Sequence, residues 1–306
     1  MSATQIAPGV VRMPITIANA YFVGEPGSEW FLVDCGTPGK SKALQEEAEK
    51  RYGKTSKPSF ILLTHGHFDH AGNAKELAEK WGVPIYVHHL ETPYLTGRSA
   101  YPPKDPTVGG AMAFLSRFFP THSINLEPHL RELPDNGEVP GHPEWRWMFT
   151  PGHAPGHICL YNEANRILLA GDAFTTVDVD SLVALVLQTK QLSRPPAPFT
   201  FDWKAAHKSV RELAELKPSV IGCGHGNPMA GPQVAGQLSD FAANFPIPDH
   251  GRYIPEPAQT GEGGVRYVPP APPDPLPNIA AAVGITLVLA AVLIFKVKMD
   301  GGSLHA

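Results

Sequence analysis

Phe60-Ile-Leu-Leu-Thr-His65-Gly-His67-Phe-Asp69-His70-Ala-Gly-Asn73 is the stretch on which the reading of this 306-residue chain turns. Its first four residues are an unbroken apolar run of strand length. Directly behind Thr64 come three imidazoles and a carboxylate: His65, His67, Asp69 and His70. Imidazole and carboxylate are the ligands that suit zinc, and also iron or manganese. The spacing lets His65 and His67 grip one ion while Asp69 and His70 turn toward a second. One histidine in a polar loop would read as solvated; four candidate ligands crowded behind a buried strand read as a metal site.

Outward from this loop the pattern is an alternation of strands and helices. Residues 73–81 carry Ala74, Leu77, Ala78 and Trp81 at helical spacing, Gly82 ends that helix, and 84–87 is a further strand. Upstream, 8–34 reads as short strands, with a turn at 24–27, and 40–52 is helix-prone. This order predicts an α/β layer. Residues 91–143 lose the periodicity and read as an irregular insert, either a substrate-shaping wall or plain decoration. Strands resume at 145–150, 158–161 and 167–170. Short helices are expected at 181–190, 203–216 and 231–245, with a strand at 219–223 between the last two.

Composition narrows the function classes. The net charge of −4 gives no basic stripe, so no nucleic-acid partner is expected. Cys35, Cys159 and Cys223 are odd in number and widely spaced, which predicts buried reduced thiols. Residues 1–14 show no basic stretch running into an apolar one, so no secretory signal is expected. Ten prolines within 246–277 predict a semi-extended linker. Beyond them, 279–295 carries no charge, and seventeen residues at ~1.5 Å each span roughly 26 Å. The expectation is a catalytic domain over 1–245, a linker over 246–277, a membrane-crossing helix over 278–295 and a polar tail over 296–306. With no signal upstream, the catalytic face is expected in the cytoplasm, anchored to the membrane by that helix.

Three further loops follow apolar strands in the same manner: Thr150-Pro-Gly-His153, Leu169-Ala-Gly-Asp172 and Cys223-Gly-His225. Glycine before or between ligands lets the backbone turn sharply and approach an ion. Together with the first loop, these residues resemble the metallo-β-lactamase superfamily, whose motif is His-x-His-x-Asp-His followed by a His, an Asp and a His. The resemblance covers about residues 5–245. It implies a four-layer αββα sandwich with the metals at one edge. By position it implies that His65, His67 and His153 hold one divalent ion, that Asp69, His70 and His225 hold a second, and that Asp172 bridges them. Zinc is the expected metal, with iron or manganese as alternatives. Thr64, Asp34 and His157 are expected behind the ligands, since a ligating imidazole needs a partner for its far nitrogen. His153 is preferred to His157 as ligand because it directly follows the Pro-Gly turn.

The resemblance also implies a chemistry: a hydroxide bound by both ions, oriented by Asp69, attacks a small-molecule substrate. A bridging aspartate points to the glyoxalase II and lactonase relatives, hence to a carboxylic ester, thioester or lactone. Phosphodiesterase or β-lactamase activity on the same site, and a mononuclear-iron persulfide dioxygenase, stand as alternatives. Tyr94 and Tyr101 in the insert are available to act near the metals.

Overall fold

The computed structural model describes residues 2–120 and 124–274. Two sheets face each other in the compact unit Met1–Pro270. The first runs β1 (Thr4–Ala7), β2 (Val10–Ile15), β3 (Ala18–Val23), β4 (Phe31–Val33), β5 (Ile61–Leu62), β6 (Ile85–Val87) and β7 (Leu130–Glu132) in sequence order. Its first four strands are antiparallel neighbours and its last four are parallel. The second sheet is built from β8 (Glu138–Val139), β9 (His142–Phe149), β10 (Ile158–Asn162), β11 (Ile167–Leu169), β12 (Val220–Gly222) and β13 (Met229–Ala230), in reverse order across it. Only β11 and β12 pair in parallel there.

The alternation of side chains along the strands explains the layering. In β10, Ile158 and Leu160 point between the sheets, where they meet Phe31, Val33 and Leu62 of the first sheet. Cys159 and Tyr161 point the other way, onto α7 (Trp203–Glu215) and α8 (Val234–Ala243). In the first sheet Phe22 and Leu32 pack outward against α1 (Ser41–Tyr52) and α3 (Ala74–Trp81). Each fully buried Leu, Val or Phe contributes about 1.5–3 kcal/mol, so both faces of both sheets are covered. The result is the expected αββα arrangement. The three cysteines are free and buried.

Element boundaries follow local chemistry. Helix α3 ends where Gly82 adopts φ 63°, and Asp202 caps α7 by accepting the Ala205 amide at 2.9 Å. The four-residue α2 (Phe68–Ala71) grows straight out of the histidine loop. The insert is less irregular than its sequence suggests. It contains α4 (Thr92–Leu95), α5 (Gly110–Ser116) and the edge strand β7. Residues 181–190 contain α6 (Leu182–Leu187).

Two expectations about the C-terminal region are corrected. Residues 246–270 do not form an extended linker; they belong to the compact unit. Tyr253 is 2% exposed and packs edge-on against Phe201 with ring centroids 5.4 Å apart. The Arg252 amide donates to Asp105, and Gln259–Gly261 and Gly264–Tyr267 form a hairpin, β14 and β15. Prolines confine the ladder here to that proline-free hairpin, and apolar anchors spaced between them still find the core. The expected membrane helix over 278–295 lies outside the described residues. Among the described residues no helix is long and apolar enough to cross a membrane. The expectation of a membrane-anchored protein is therefore corrected: it rested on uninterrupted apolarity alone, and no described element carries it.

Candidate metal centre

Every ligand candidate sits just past the end of a strand, at one edge of the sandwich. His65, His67, Asp69 and His70 follow β5, His153 follows β9, Asp172 follows β11 and His225 follows β12. Their donor atoms fall into three overlapping groups, His65–His67–His153, His65–His70–Asp172 and Asp69–His70–His225, with the atoms of each group within 4.8 Å of one another. All seven side chains anticipated as ligands are thus brought to one place.

The partner of each far ring nitrogen fixes which nitrogen is bare. The Thr64 hydroxyl donates to Asp34 Oδ2 at 2.8 Å and so accepts from His65 Nδ1 at 3.1 Å, leaving His65 Nε2 without a proton. His70 Nδ1 donates to Asp34 Oδ2 at 2.8 Å. Asp34 holds this position with a φ of 56°, an uncommon conformation for a non-glycine residue. His225 Nδ1 donates to the Ile17 carbonyl at 2.7 Å. His153 Nδ1 faces Thr200 Oγ1 at 3.3 Å, and that hydroxyl donates onward to Pro196 O at 3.0 Å. All four of these imidazoles turn Nε2 inward: bare in His65 and His153, and facing Asp172 Oδ2 in His70 and His225. His67 is the exception and turns its Nδ1 inward, 3.0 Å from both His65 Nε2 and His153 Nε2.

His67 Nδ1 can donate to only one of these two bare nitrogens, so at least one of the three converging nitrogens lacks a donor unless a cation lies among them. Asp172 stands at the middle of the site, with Oδ2 at 3.1 Å from His225 Nε2, 3.5 Å from His153 Nε2 and 3.6 Å from His70 Nε2. Its Oδ1 and the Nε2 of His70 are buried with no hydrogen-bond partner. Orphaned buried polar atoms are costly, and here they are grouped, so the ligand set fits divalent ions. Gly224 makes room for it: a Cβ there would lie 2.0 Å from Asp172 Oδ1.

The protonation pattern agrees with this geometry. Burial, reinforced by the neighbouring imidazoles, holds His65 and His153 well below the ordinary range and His67 at about 3. Burial would lower His70 and His225 too, but Asp172 and its fellow carboxylates raise both, His225 to about 9. Burial would raise Asp172, yet His225 and His70 hold its carboxyl well below the usual range. The centre thus divides into a neutral three-imidazole half and a half in which charge is already paired.

His157 is not among the convergent donors. Its Nδ1 faces Thr150 Oγ1 at 2.9 Å and its Nε2 accepts the Asp172 amide at 2.9 Å, so both nitrogens are spent, tying the Asp172 loop to the strand end before His153. Burial lowers it to about 4. Gly171, at φ 49°, clears space for that ring, since a Cβ would sit 2.6 Å from His157 Nε2. Thr64 and Asp34 stand behind the ligands as anticipated.

The largest omission of sequence reasoning is Glu91. Its carboxylate is fully buried and accepts the Gly66 amide at 2.8 Å through one oxygen and the Gly156 amide at 2.7 Å through the other. It clasps the loop of His65 and His67 to the loop of His153. Tyr101 also donates to it, while accepting from Gly66 at 2.9 Å. Burial raises Glu91, and its three donors only partly offset that. The Tyr101 ring stands 4.6 Å from that of His67, but its hydroxyl is taken by Glu91 and is not presented to a substrate. Tyr94 stacks behind it at 4.2 Å. Thr200 and the Ile17 carbonyl were also missed; nothing in a lone threonine or a main-chain oxygen marks them. Glu91 had one available signal, since it lies just beyond β6, the parallel neighbour of β5. His88 lies outside the centre, stacked on Phe149 at 4.5 Å.

Comparisons with known proteins agree with this geometry. Residues 14–225 match the metallo-beta-lactamase superfamily. A probable metallo-hydrolase of Bacillus subtilis, YflN, is 42% identical over 241 residues, covering 78% of this chain and 91% of that one. The hydroxyacylglutathione hydrolase GloC of Haemophilus influenzae is 29% identical over 113 residues, covering 37% of this chain and 48% of that one. The crystal structure of a metallo-beta-lactamase family protein from Thermus thermophilus superposes with a TM-score of 0.53 at 25% identity, over 78% of this chain and 81% of that one. With its ligand loops closed into one centre and its sequence matched over most of that span, the chain belongs to the metallo-β-lactamase superfamily and is a metallo-hydrolase.

Proposed function

We propose that the protein hydrolyses a carboxylic ester, thioester or lactone at a two-metal centre. The observation that carries this reading is the pair of ligand sets meeting at Asp172, whose Oδ2 lies within 3.6 Å of three imidazole nitrogens drawn from both sets. His65, His67 and His153 would hold one ion, and Asp69, His70 and His225 the other, with Asp172 shared. Zinc suits this nitrogen-rich set, and iron or manganese fit the same geometry. Bound there, two divalent ions lower the pKa of water and polarise a carbonyl oxygen.

The chain's own residues supply the rest. Asp69, with its Oδ2 3.5 Å from His225 Nε2, orients the attacking water and holds its proton. Asp34 and Thr64 lock His65 and His70 in the tautomers that point Nε2 inward. The acyl reading is supported by the likeness of part of the chain to a hydrolase of hydroxyacylglutathione, which is a thioester.

The test is elemental analysis of the purified protein coupled to a panel of thioesters, esters, lactones, phosphodiesters and β-lactams. Two ions per chain and turnover of an acyl substrate are expected, with both lost in His65→Ala and Asp172→Ala. Full metal content and turnover in those variants would defeat the assignment. Preference for phosphodiesters or β-lactams would reassign the substrate. Activity that vanishes without oxygen would replace hydrolysis by dioxygenation.

A further inference from the structure

Resting on that acyl-hydrolase reading, we infer that the substrate carries a long apolar acyl chain, bound on an aromatic shelf that starts at the metal ligand His67. The Phe199 ring lies 5.7 Å from that of His67, the Phe119 ring 6.2 Å from Phe199, and the Phe68 ring 5.4 Å from Phe119. All three phenylalanines are half-buried, as is His67. The shelf joins three separate parts of the chain: the histidine loop, the insert and the segment before α7.

Beyond the shelf the surface stays apolar. Phe119 and Phe199 pack on a small cluster that includes Met112 of α5 and Ala184 of α6. The outer sides of the same elements are exposed: Phe118 by 74% and Val186 by 81%, with Phe114, Leu182, Val183 and Leu187 also exposed. These six are most of the large apolar side chains left in water among the described residues. An apolar surface of this kind, joined across α5 and α6 by their buried cluster, marks a binding surface. Its inner end at His67 identifies what it binds, because a group lying along it has its head at the metal donors. Three cations beside the rings are engaged elsewhere: Lys104 donates to the Phe119 carbonyl at 2.7 Å, Arg117 to the Ala113 carbonyl at 3.0 Å, and Arg194 pairs with Asp180 at 2.9 Å. The strip therefore suits a hydrocarbon tail rather than an anionic one.

The test is a series of thioesters from butanoyl to dodecanoyl on the zinc-loaded protein, with calorimetric binding of butanoate and dodecanoate alongside. Burial of each methylene should raise kcat/KM roughly two- to fourfold until the strip is covered, and dodecanoate should bind more tightly than butanoate. Phe199→Ala should cut the dodecanoyl-to-butanoyl ratio at least tenfold. Phe118→Ser combined with Val186→Ser, both at exposed positions that folding tolerates, should flatten the upper part of the series. Equal kcat/KM at all lengths, with a ratio unmoved in these variants, would overturn the inference and leave hydrolysis standing. Tighter binding of dodecanoate without cleavage of any acyl compound would sink the hydrolytic reading but keep the tail site. If the double variant instead converts a dimer to a monomer with the series unchanged, the strip is a self-association face and the inference falls.

Discussion

Glu91 shows how much a site can depend on a residue that never touches the reacting atoms. Its two oxygens accept one amide from each of two loops, so it fixes the separation of His153 from His65 and His67. A glutamine there has one acceptor oxygen, and its amide nitrogen would confront the other amide donor. Glu91→Gln is therefore expected to weaken zinc binding at the three-histidine set by about 10–100-fold, and to affect the Asp69–His70–His225 set much less. Competitive chelator titration that resolves the two sites checks this, and equal weakening of both sites would reduce Glu91 to general packing. A second residue-scale prediction concerns His88, away from the metals. It stacks on Phe149, and its Nδ1 accepts the Leu90 amide at 3.3 Å, so it must be neutral when folded. Burial, with His89 adding, lowers it to about 4. The unfolded chain takes up that proton near ~6.5. The stability His88 contributes is whole above that pH and is lost as pH falls toward about 4. Between pH 7 and 5 the wild-type Tm should drop more than that of His88→Asn, which keeps a short acceptor; parallel curves would contradict a neutral buried His88.

At the scale of elements, the proline-rich stretch is the instructive case. Proline removes a backbone donor and blocks helix and ladder, so ten of them in 246–277 read as linker. Over 246–270 the chain instead uses Tyr253 as a plug under Phe201, its hydroxyl donating to Pro103 O. Tyr253→Ala should cost roughly 3 kcal/mol, the scale of emptying a buried aromatic site. Urea unfolding measures it, and a change within error would mean the segment rides on the surface. The ligand loops were legible because metal chemistry constrains residue type and spacing together, as in His65, His67, Asp69 and His70. The α/β order was legible because 60–63 and 74–81 have clear and different periods. The insert was not, because its role depends on Glu91 and Tyr101 reaching back across sequence to Gly66, and a single carboxylate carries no period. Nor was the tautomer of His153, which is set by Thr200, 47 residues away along the chain.

At the scale of the whole molecule, the centre is a seam between two sheets. His65, His67, Asp69 and His70 belong to the first sheet's edge, while His153, Asp172 and His225 belong to the second. An ion held by His65, His67 and His153 is bound by both halves at once, and neither half presents that set alone. Such a ligand binds the folded chain and not the unfolded one, so it stabilises by mass action: about 4 kcal/mol at a thousandfold excess over Kd. For a unit of this size each kcal/mol is worth about 2–4 °C in Tm, so zinc should raise Tm by on the order of 10 °C over chelated protein. The metal-free protein must also leave one of the three converging imidazole nitrogens without a donor and Asp172 Oδ1 unpartnered, which adds to the difference. Scanning calorimetry with chelator, with zinc and with magnesium separates the cases. Magnesium, which prefers oxygen ligands, should move Tm little. His153→Ala removes the second sheet's hold on the first ion and should reduce the zinc shift to the part owed to the ion at Asp69, His70 and His225, while His88→Asn should retain it whole. If zinc raised Tm equally in wild type and His153→Ala, no ion would be held across the seam by His153, and the sheets would be joined by metal only through His225.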